Sequence, residues 1–200
     1  MGTINNFKFK LLKNFFSKKE IDVYSKYCKY RHICDNKDVD NIFNNKLEKF
    51  PEETCFFDDP LFESVLLNIT KDVEKKCGLK LFPTYSYWRM YTYGASLPKH
   101  TDRSSCEIST TMFLGGEDWS IFLEPSGEEG KKGVEVNLKP GDMLMYRGCE
   151  LEHWRETFEG ENCGQVFLHY NDASNPKAKL NKFDGRPMIG LPDYYARKND

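Results

Sequence analysis

No apolar run in this chain approaches the ~20 residues that a membrane-spanning helix needs. The opening stretch, MGTINNFKFKLLKNFF, has no apolar segment followed by a small-residue cleavage site. Position 6 is Asn6, where a myristoylation signal after Met-Gly carries Ser or Thr. The simplest reading is a soluble, cytoplasmic protein with no membrane partner. Excess positive charge is missing too. Lys and Arg number 29 against 31 Asp and Glu, for a net charge of −2, so no broad basic face for nucleic acid is expected. The seven cysteines are odd in number and none stands in a CxxC pair. With no export signal, this argues against a disulfide framework and a Cys-rich zinc module, and leaves free thiols. There is no fixed-period repeat and no low-complexity segment.

The chain does have enough apolar material, 39% of 200 residues, for the core of a single domain. Its 15 Phe and 11 Tyr favour a sheet-rich fold. Residues 1–78 read as a helical annex. Ser17 and Glu20 have capping-box spacing before IDVYSKYCKY, and residues 31–57 read as irregular with short helical pieces. Asp59 and Pro60 then open a helix on which Leu61, Val65, Ile69, Val73 and Cys77 recur every four residues, and Gly78 closes it. Residues 79–172 change texture to short β-branched or aromatic runs such as YSYWRMYTY, EISTTMFL and GQVFLHYND, with Pro140-Gly141-Asp142 as a turn between two of them. The polar tail 173–200 reads as a surface extension. Helices followed by many short strands give an α+β class with a barrel or double-sheet β core.

Within LPKHTDRSS, His100 and Asp102 stand two residues apart between strand-like segments. On a strand such residues face the same way, so an imidazole and a carboxylate can aim at one point. That is two-thirds of a 2-His-1-carboxylate site for non-haem Fe(II). On these two residues alone, an Asp that only orients an exposed His is the better account. A third ligand must come from the remaining histidines. His32 lies in the helical annex. His169 sits in the apolar strand QVFLHY, which suits a buried, hydrogen-bonded imidazole. His153, in LEHWRE, follows far enough on for the chain to fold back beside His100, and is preferred.

These residues resemble the 2-oxoglutarate- and Fe(II)-dependent dioxygenases, in particular the prolyl-hydroxylase-like branch. That branch carries RY-x-x-G, five residues, then His-x-Asp. Here Tyr91, Gly94, His100 and Asp102 keep the spacing, Arg89 is displaced by one residue, and His153 and GQVFLHYND follow in order. The likeness covers roughly residues 83–172. It implies a double-stranded β-helix core, jelly-roll or cupin-like, with the N-terminal helices packed on one sheet. It also implies Fe(II) held by His100, Asp102 and His153, with 2-oxoglutarate and O2 as co-substrates and ascorbate as activator. The implied reaction is substrate hydroxylation coupled to decarboxylation of 2-oxoglutarate to succinate. A peptidyl proline is the substrate that the branch implies, and a free amino acid or other small molecule is the alternative.

One departure matters. The family places Lys or Arg about ten residues after the distal His to bind the far carboxylate of 2-oxoglutarate. Here that region reads GENCGQ, with Cys163 at the position. A buried dianion needs a cation. Arg155, two residues after His153, shares its face on a strand and offers a planar fork; the alternative is a surface Arg paired with Glu152 or Glu156. Tyr91 matches the family's Tyr and is expected to donate its phenol to the same carboxylate. Gln165, inward by parity with Cys163, is a further choice, and Arg89, Lys99 and Arg103 stand next in line as cations. Arg103 reads equally as a substrate contact or a salt-bridge residue. Trp88, Trp119 and Trp154 read as core. Glu107, Glu152 and Glu156 read as solvated or paired. The rival functions are a cupin-like metal-binding module without oxygenase activity and a nucleic-acid dealkylase of the same superfamily. A structural zinc site fits poorly, because it would be closed and Cys-rich.

Overall fold

Phe7, Phe9 and Leu11 alternate with Lys8 and Lys10, a period of two that suits a strand with one covered face. That segment is β1 (Phe9–Leu12) in the structure, a computed structural model that describes residues 7–36, 54–126, 128 and 131–196. Two helices and nine further strands follow: α1 (Lys18–Asn36), β2 (Thr54–Phe57), α2 (Pro60–Cys77), β3 (Leu81–Thr92), β4 (Leu97–His100), β5 (Ile108–Gly116), β6 (Ile121–Glu124), β7 (Val134–Val136), β8 (Met143–Tyr146), β9 (Glu152–Arg155) and β10 (Asn162–Asp172). A short helix, α3 (Ala178–Asn181), lies in the tail.

The strands form two antiparallel sheets. The larger runs β1-β8-β5-β10-β3-β2 and the smaller β4-β9-β6-β7. Alternation along each major-sheet strand separates two cores. Trp88, Met90, Met112, Met143, Met145, Val166, Leu168 and Tyr170 face outward and meet Phe62, Leu66, Ile69 and Val73 of α2. Tyr91, Phe113, Leu144, Tyr146, Cys163 and Phe167 face inward and meet Ile121, Leu123 and Val136 of the smaller sheet. Each fully buried Leu, Ile or Phe contributes roughly 1.5–3 kcal/mol. The α+β class, with helices on one face of a double-stranded β-helix, agrees with the sequence reading.

The helix ends form as their residues dictate. The Ser17 amide donates to Glu20 Oε2 at 2.7 Å, and the Glu20 amide to Ser17 Oγ at 3.3 Å. Asp59 Oδ1 accepts from the Leu61 amide at 3.0 Å, and Gly78, left-handed at φ 74°, caps the other end of α2. Among the described residues, no helix is long and apolar enough to cross a membrane. All seven cysteines are free.

Three readings are corrected. The helical annex also contains β1 and β2, which are the two edges of the larger sheet, pairing with β8 and β3. Of the irregular stretch 31–57, residues 31–36 complete α1 and 54–57 form β2, while 37–53 lie outside the described residues. The tail is not simply a surface extension. Arg186 is buried, with Nη1 at 3.0 Å from Asp58 and 3.2 Å from Glu63, and Nη2 donating to the Thr84 carbonyl at 3.1 Å.

Candidate active site

His100 ends β4 and stands directly opposite His153 on β9. Leu97 pairs with Arg155 and His100 with His153, so three steps along β4 match two along β9. This bulge re-aims the end of β4, and the ring centroids of the two histidines come to 4.3 Å. Each Nδ1 meets a carbonyl two residues back, Pro98 at 2.7 Å for His100 and Leu151 at 2.9 Å for His153. A carbonyl can only accept, so each Nδ1 carries the proton and each Nε2 keeps its lone pair. Both Nε2 atoms face Asp102 Oδ1, at 3.6 and 3.4 Å.

Asp102 lies past the end of β4, so the strand alternation expected for the pair does not place it. Its amide donates to the Gly148 carbonyl at 2.8 Å, and its Oδ2 accepts from Ser109 Oγ at 2.6 Å. This leaves Oδ1 for the imidazoles. Gly148 permits the approach: a Cβ there would stand 2.2 Å from Asp102 Oδ2, 2.5 Å from the Cys106 carbonyl and 2.6 Å from Ser109 Oγ. Burial alone would raise the Asp102 pKa, but the two imidazoles, each able to donate from Nε2 once it is protonated, outweigh it and hold the carboxyl well below its usual range. The hydrogen bond to Asp102 pushes His100 up. The three donor atoms lie within 4.8 Å of one another. His153 is buried and His100 is partly open, so the cluster has one accessible side. Two imidazole nitrogens and one carboxylate oxygen on one side suit Fe(II) and its first-row neighbours.

Arg155 leaves β9 on the same side as His153, and both are buried while Glu152 and Trp154 face out. Its side chain is 2% exposed. The guanidinium lies 5.0 Å over the Trp119 ring, and Nη1 donates to the Trp119 carbonyl. Nε and Nη2 have no partner among the described residues. Burial lowers its pKa, and its titratable neighbours are Cys163, Tyr91 and Tyr146, none of them a carboxylate. Surface pairing is ruled out: Glu152 pairs with Lys99 at 2.7 Å, and Glu156 accepts from the Trp154 indole at 3.0 Å. Tyr91 is buried edge-on to Trp119 at 4.9 Å, and burial pushes its phenol up. Gln165 also faces inward, accepting from Thr111 Oγ1 at 3.1 Å and donating to Cys163 Sγ at 3.2 Å. The Arg89 guanidinium lies 4.7 Å over the Tyr91 ring.

The remaining candidates sort plainly. Arg103 is a salt-bridge residue, with both Nη atoms on Asp184 at 2.9 and 2.7 Å. His169 is buried and faces Ser109 Oγ at 3.0 Å, and burial lowers its pKa to about 4. Asp102, Cys106 and His169 also lie close together, but burial pushes the Cys106 thiol up to about 12, and a protonated thiol is a poor ligand. His32 bonds Thr54, between α1 and β2. Glu107 accepts from the Asp172 amide at 3.1 Å. Trp88 and Trp119 are core, whereas Trp154 stacks on Phe122 outside the smaller sheet.

Sequence reasoning missed Ser109, Gly148 and Tyr146, whose ring packs on His153 at 4.9 Å. A small polar residue at an inward position of the strand EISTTMFL was the available signal for Ser109.

No protein-family model matches the chain, and no curated protein matches it in sequence. Its fold does match solved structures. A prolyl-4-hydroxylase from Pseudomonas putida shares 14% identity at a TM-score of 0.60, over 84% of this chain and 94% of that one. HygX from Streptomyces hygroscopicus, with nickel and 2-oxoglutarate bound, shares 15% at 0.58, over 83% of each. SnoK, a non-haem α-ketoglutarate-dependent carbocyclase from nogalamycin biosynthesis, shares 12% at 0.62, over 83% and 80%. The fold is that of the 2-oxoglutarate- and Fe(II)-dependent oxygenases, in the form seen in the prolyl hydroxylases.

Proposed function

We propose that this chain is a 2-oxoglutarate- and Fe(II)-dependent dioxygenase acting as a hydroxylase. The observation that carries the reading is Arg155: a buried guanidinium with two nitrogens unpartnered among the described residues, two residues from His153 and on the same face. An unpaired buried cation is costly, and it makes physical sense as a seat for an anion drawn in beside a metal. It also supplies the cation whose absence from the last strand favoured a metal-binding module without activity.

In this reading His100 Nε2, Asp102 Oδ1 and His153 Nε2 hold Fe(II). Arg155 takes the far carboxylate of 2-oxoglutarate, with Tyr91 donating its phenol and Gln165 beside them. The bound metal and co-substrate supply the oxidation R–H + 2-oxoglutarate + O2 → R–OH + succinate + CO2, with ascorbate as activator. The protein does the rest. The Nδ1 bonds fix both imidazole tautomers, Ser109 turns Asp102 so that one oxygen faces the site, and Trp119 and Tyr146 keep water from the pocket. The low dielectric there strengthens the Arg155–carboxylate pair. The substrate is a peptidyl proline or a small molecule.

The test is succinate release from 2-oxoglutarate with Fe(II), O2 and ascorbate, alongside calorimetric binding of 2-oxoglutarate to Ni(II)-loaded protein. Metal-dependent binding of 2-oxoglutarate, weakened in Arg155→Ala, supports the reading. Tight metal binding with no affinity for 2-oxoglutarate returns the chain to the metal-module alternative.

A further inference from the structure

We propose that His169 is a positioning residue of the metal centre: its Nδ1–H fixes the direction of the Ser109 hydroxyl, which in turn holds Asp102 with one oxygen turned to the metal. This rests on the metal-centre reading above. The chain of contacts is built by strand register. His169 on β10 stands directly opposite Ser109 on β5. Leu168 and Tyr170 belong to the outer core, so His169 between them faces inward. Leu168 pairs with Ser86 and Tyr170 with Pro83, so two steps along β10 match three along β3. That bulge falls opposite His169, and bulges re-aim side chains beside sites. Tyr85, from the bulged stretch of β3, stacks on the imidazole at 4.6 Å with a 28° interplanar angle, which holds the ring flat.

Proton counting sets the roles. Ser109 Oγ lies 2.6 Å from Asp102 Oδ2, 3.0 Å from His169 Nδ1 and 3.2 Å from the Cys106 carbonyl. A hydroxyl has one proton to give and two lone pairs. A carboxylate only accepts, and at 2.6 Å it holds that proton in a short, charge-assisted bond. His169 Nδ1 must then donate, because two acceptors would repel at 3.0 Å. An imidazole with a bare Nδ1 would instead compete with Asp102 for the same proton. With no imidazole at all, the hydroxyl is free to turn to the Cys106 carbonyl. The Tyr146 phenol also faces the Ser109 hydroxyl, but it is a rotor that can give or accept, so it does not set the direction. His169 therefore fills one lone pair of Ser109 and leaves its proton to Asp102 Oδ2. Oδ1 remains for the metal between His100 and His153. Without this chain Oδ2 is released, and the carboxylate can turn. Such outer contacts orient metal ligands as firmly as the ligands orient the ion.

The experiment measures Co(II) binding by calorimetry, and the visible absorption of the bound ion, in the full chain. The variants are Ser109→Ala, His169→Leu, His169→Gln, His169→Asn and the double variant Ser109→Ala with His169→Gln. His169→Leu and His169→Gln should each weaken Co(II) by about fivefold and shift its absorption bands, as Ser109→Ala does. The Gln amide stands one bond beyond the Nδ1 position, whereas the Asn amide nitrogen falls on it. His169→Asn should therefore stay within about twofold of wild type. If His169→Leu fails to fold, His169→Gln carries the same test. The double variant should bind no more weakly than either single change, because both break one chain. In metal-free protein, nitrogen-15 NMR at about pH 7.5 should find the His169 proton on Nδ1. Wild-type affinity in His169→Gln, additive losses in the double variant, or a proton on Nε2 would overturn the proposal alone, provided that wild type binds Co(II) and His100→Ala does not. A wild type with no affinity for Co(II) would overturn the metal-centre reading and this proposal together.

Discussion

Arg155 and His153 leave the same face of β9, with Leu97 of β4 paired against one and His100 against the other. A metal-type imidazole and an unpaired guanidinium are thereby fixed by one short strand, with no loop between them. The separation of the two is set by backbone geometry, which makes the pair a rigid ruler for a ligand that bridges a cation and a metal.

That arrangement predicts opposite signs for stability and binding. Arg155→Ala should raise the Kd for 2-oxoglutarate in the Ni(II) protein by about a hundredfold or more, since losing the cation strands a buried carboxylate at roughly 3–5 kcal/mol. Arg155→Lys should recover only part, giving a point charge for a fork. Arg155→Met, which removes an unpaired buried charge and keeps the volume, should leave the ligand-free protein as stable or up to about 3 kcal/mol more stable. Calorimetry and urea denaturation read the two effects. Destabilisation by Arg155→Met together with unchanged affinity would mark Arg155 as purely structural.

The metal cluster predicts a common loss. His100→Ala, Asp102→Ala and His153→Ala should each weaken Co(II) or Ni(II) binding by about a hundredfold or more, with far-ultraviolet circular dichroism unchanged. His169→Asn should retain the metal. Undiminished binding in Asp102→Ala and His153→Ala would remove the assignment.

Gly148→Ala tests the approach of backbone to carboxylate. A Cβ at 2.2 Å from Asp102 Oδ2 forces that group or Ser109 aside. Metal affinity should fall by about tenfold or more, and stability by about 1–3 kcal/mol. Ser109→Ala, which removes the hydroxyl without a clash, should reduce affinity less.

His169 predicts a pH dependence of folding in chelator-treated protein. Its folded pKa is depressed to about 4 by burial, against about 6.5 in an unfolded chain. Between those values the unfolded state binds the extra proton, so stability rises with pH across the window and falls as acid is added. The full contribution is about 3 kcal/mol. It is present above pH 6.5 and lost by about pH 4. The Asp102 carboxyl acts at lower pH, and the raised His100 acts above pH 6.5, so neither obscures the window. Stability curves for wild type and His169→Asn should differ in slope between pH 4 and 6.5. Parallel curves would mean that His169 titrates normally.

Much of the site was legible because its residues follow strand parity. His153 and Arg155 read as one face of LEHWRE, and Gln165 as inward with Cys163, and all four side chains are inward. Asp102 was placed with His100 by the same logic, yet it stands beyond the strand and is held by Gly148, a loop contact 46 residues away that no local pattern reveals. The bulge between Leu97 and His100 is hidden for the same reason, since it exists only in the register with β9. In the fold, α2 was plain because its cap, repeat and stop agree. β2 was not, because four residues carry too little alternation to stand out. β1 carried a legible period of two in FKFKL, but its neighbour, the capping box of α1, dominated the reading. Arg186 looked like tail because its partners, Asp58, Glu63 and Thr84, lie more than a hundred residues earlier.

The pairing of β1 with β8, Phe9 opposite Tyr146, sets the order in which this protein can be completed during synthesis. β1 emerges from the ribosome first and has no partner until β8 follows. β3 finds β2 on one side as it emerges, but waits for β10 on the other. Contacts of such sequence separation close late and slowly, so the nascent chain carries an unpaired, apolar strand for most of its translation. Chains shortened before Asn162 would hold neither β10 nor the finished larger sheet, and should be recovered as aggregates or chaperone complexes rather than as folded intermediates.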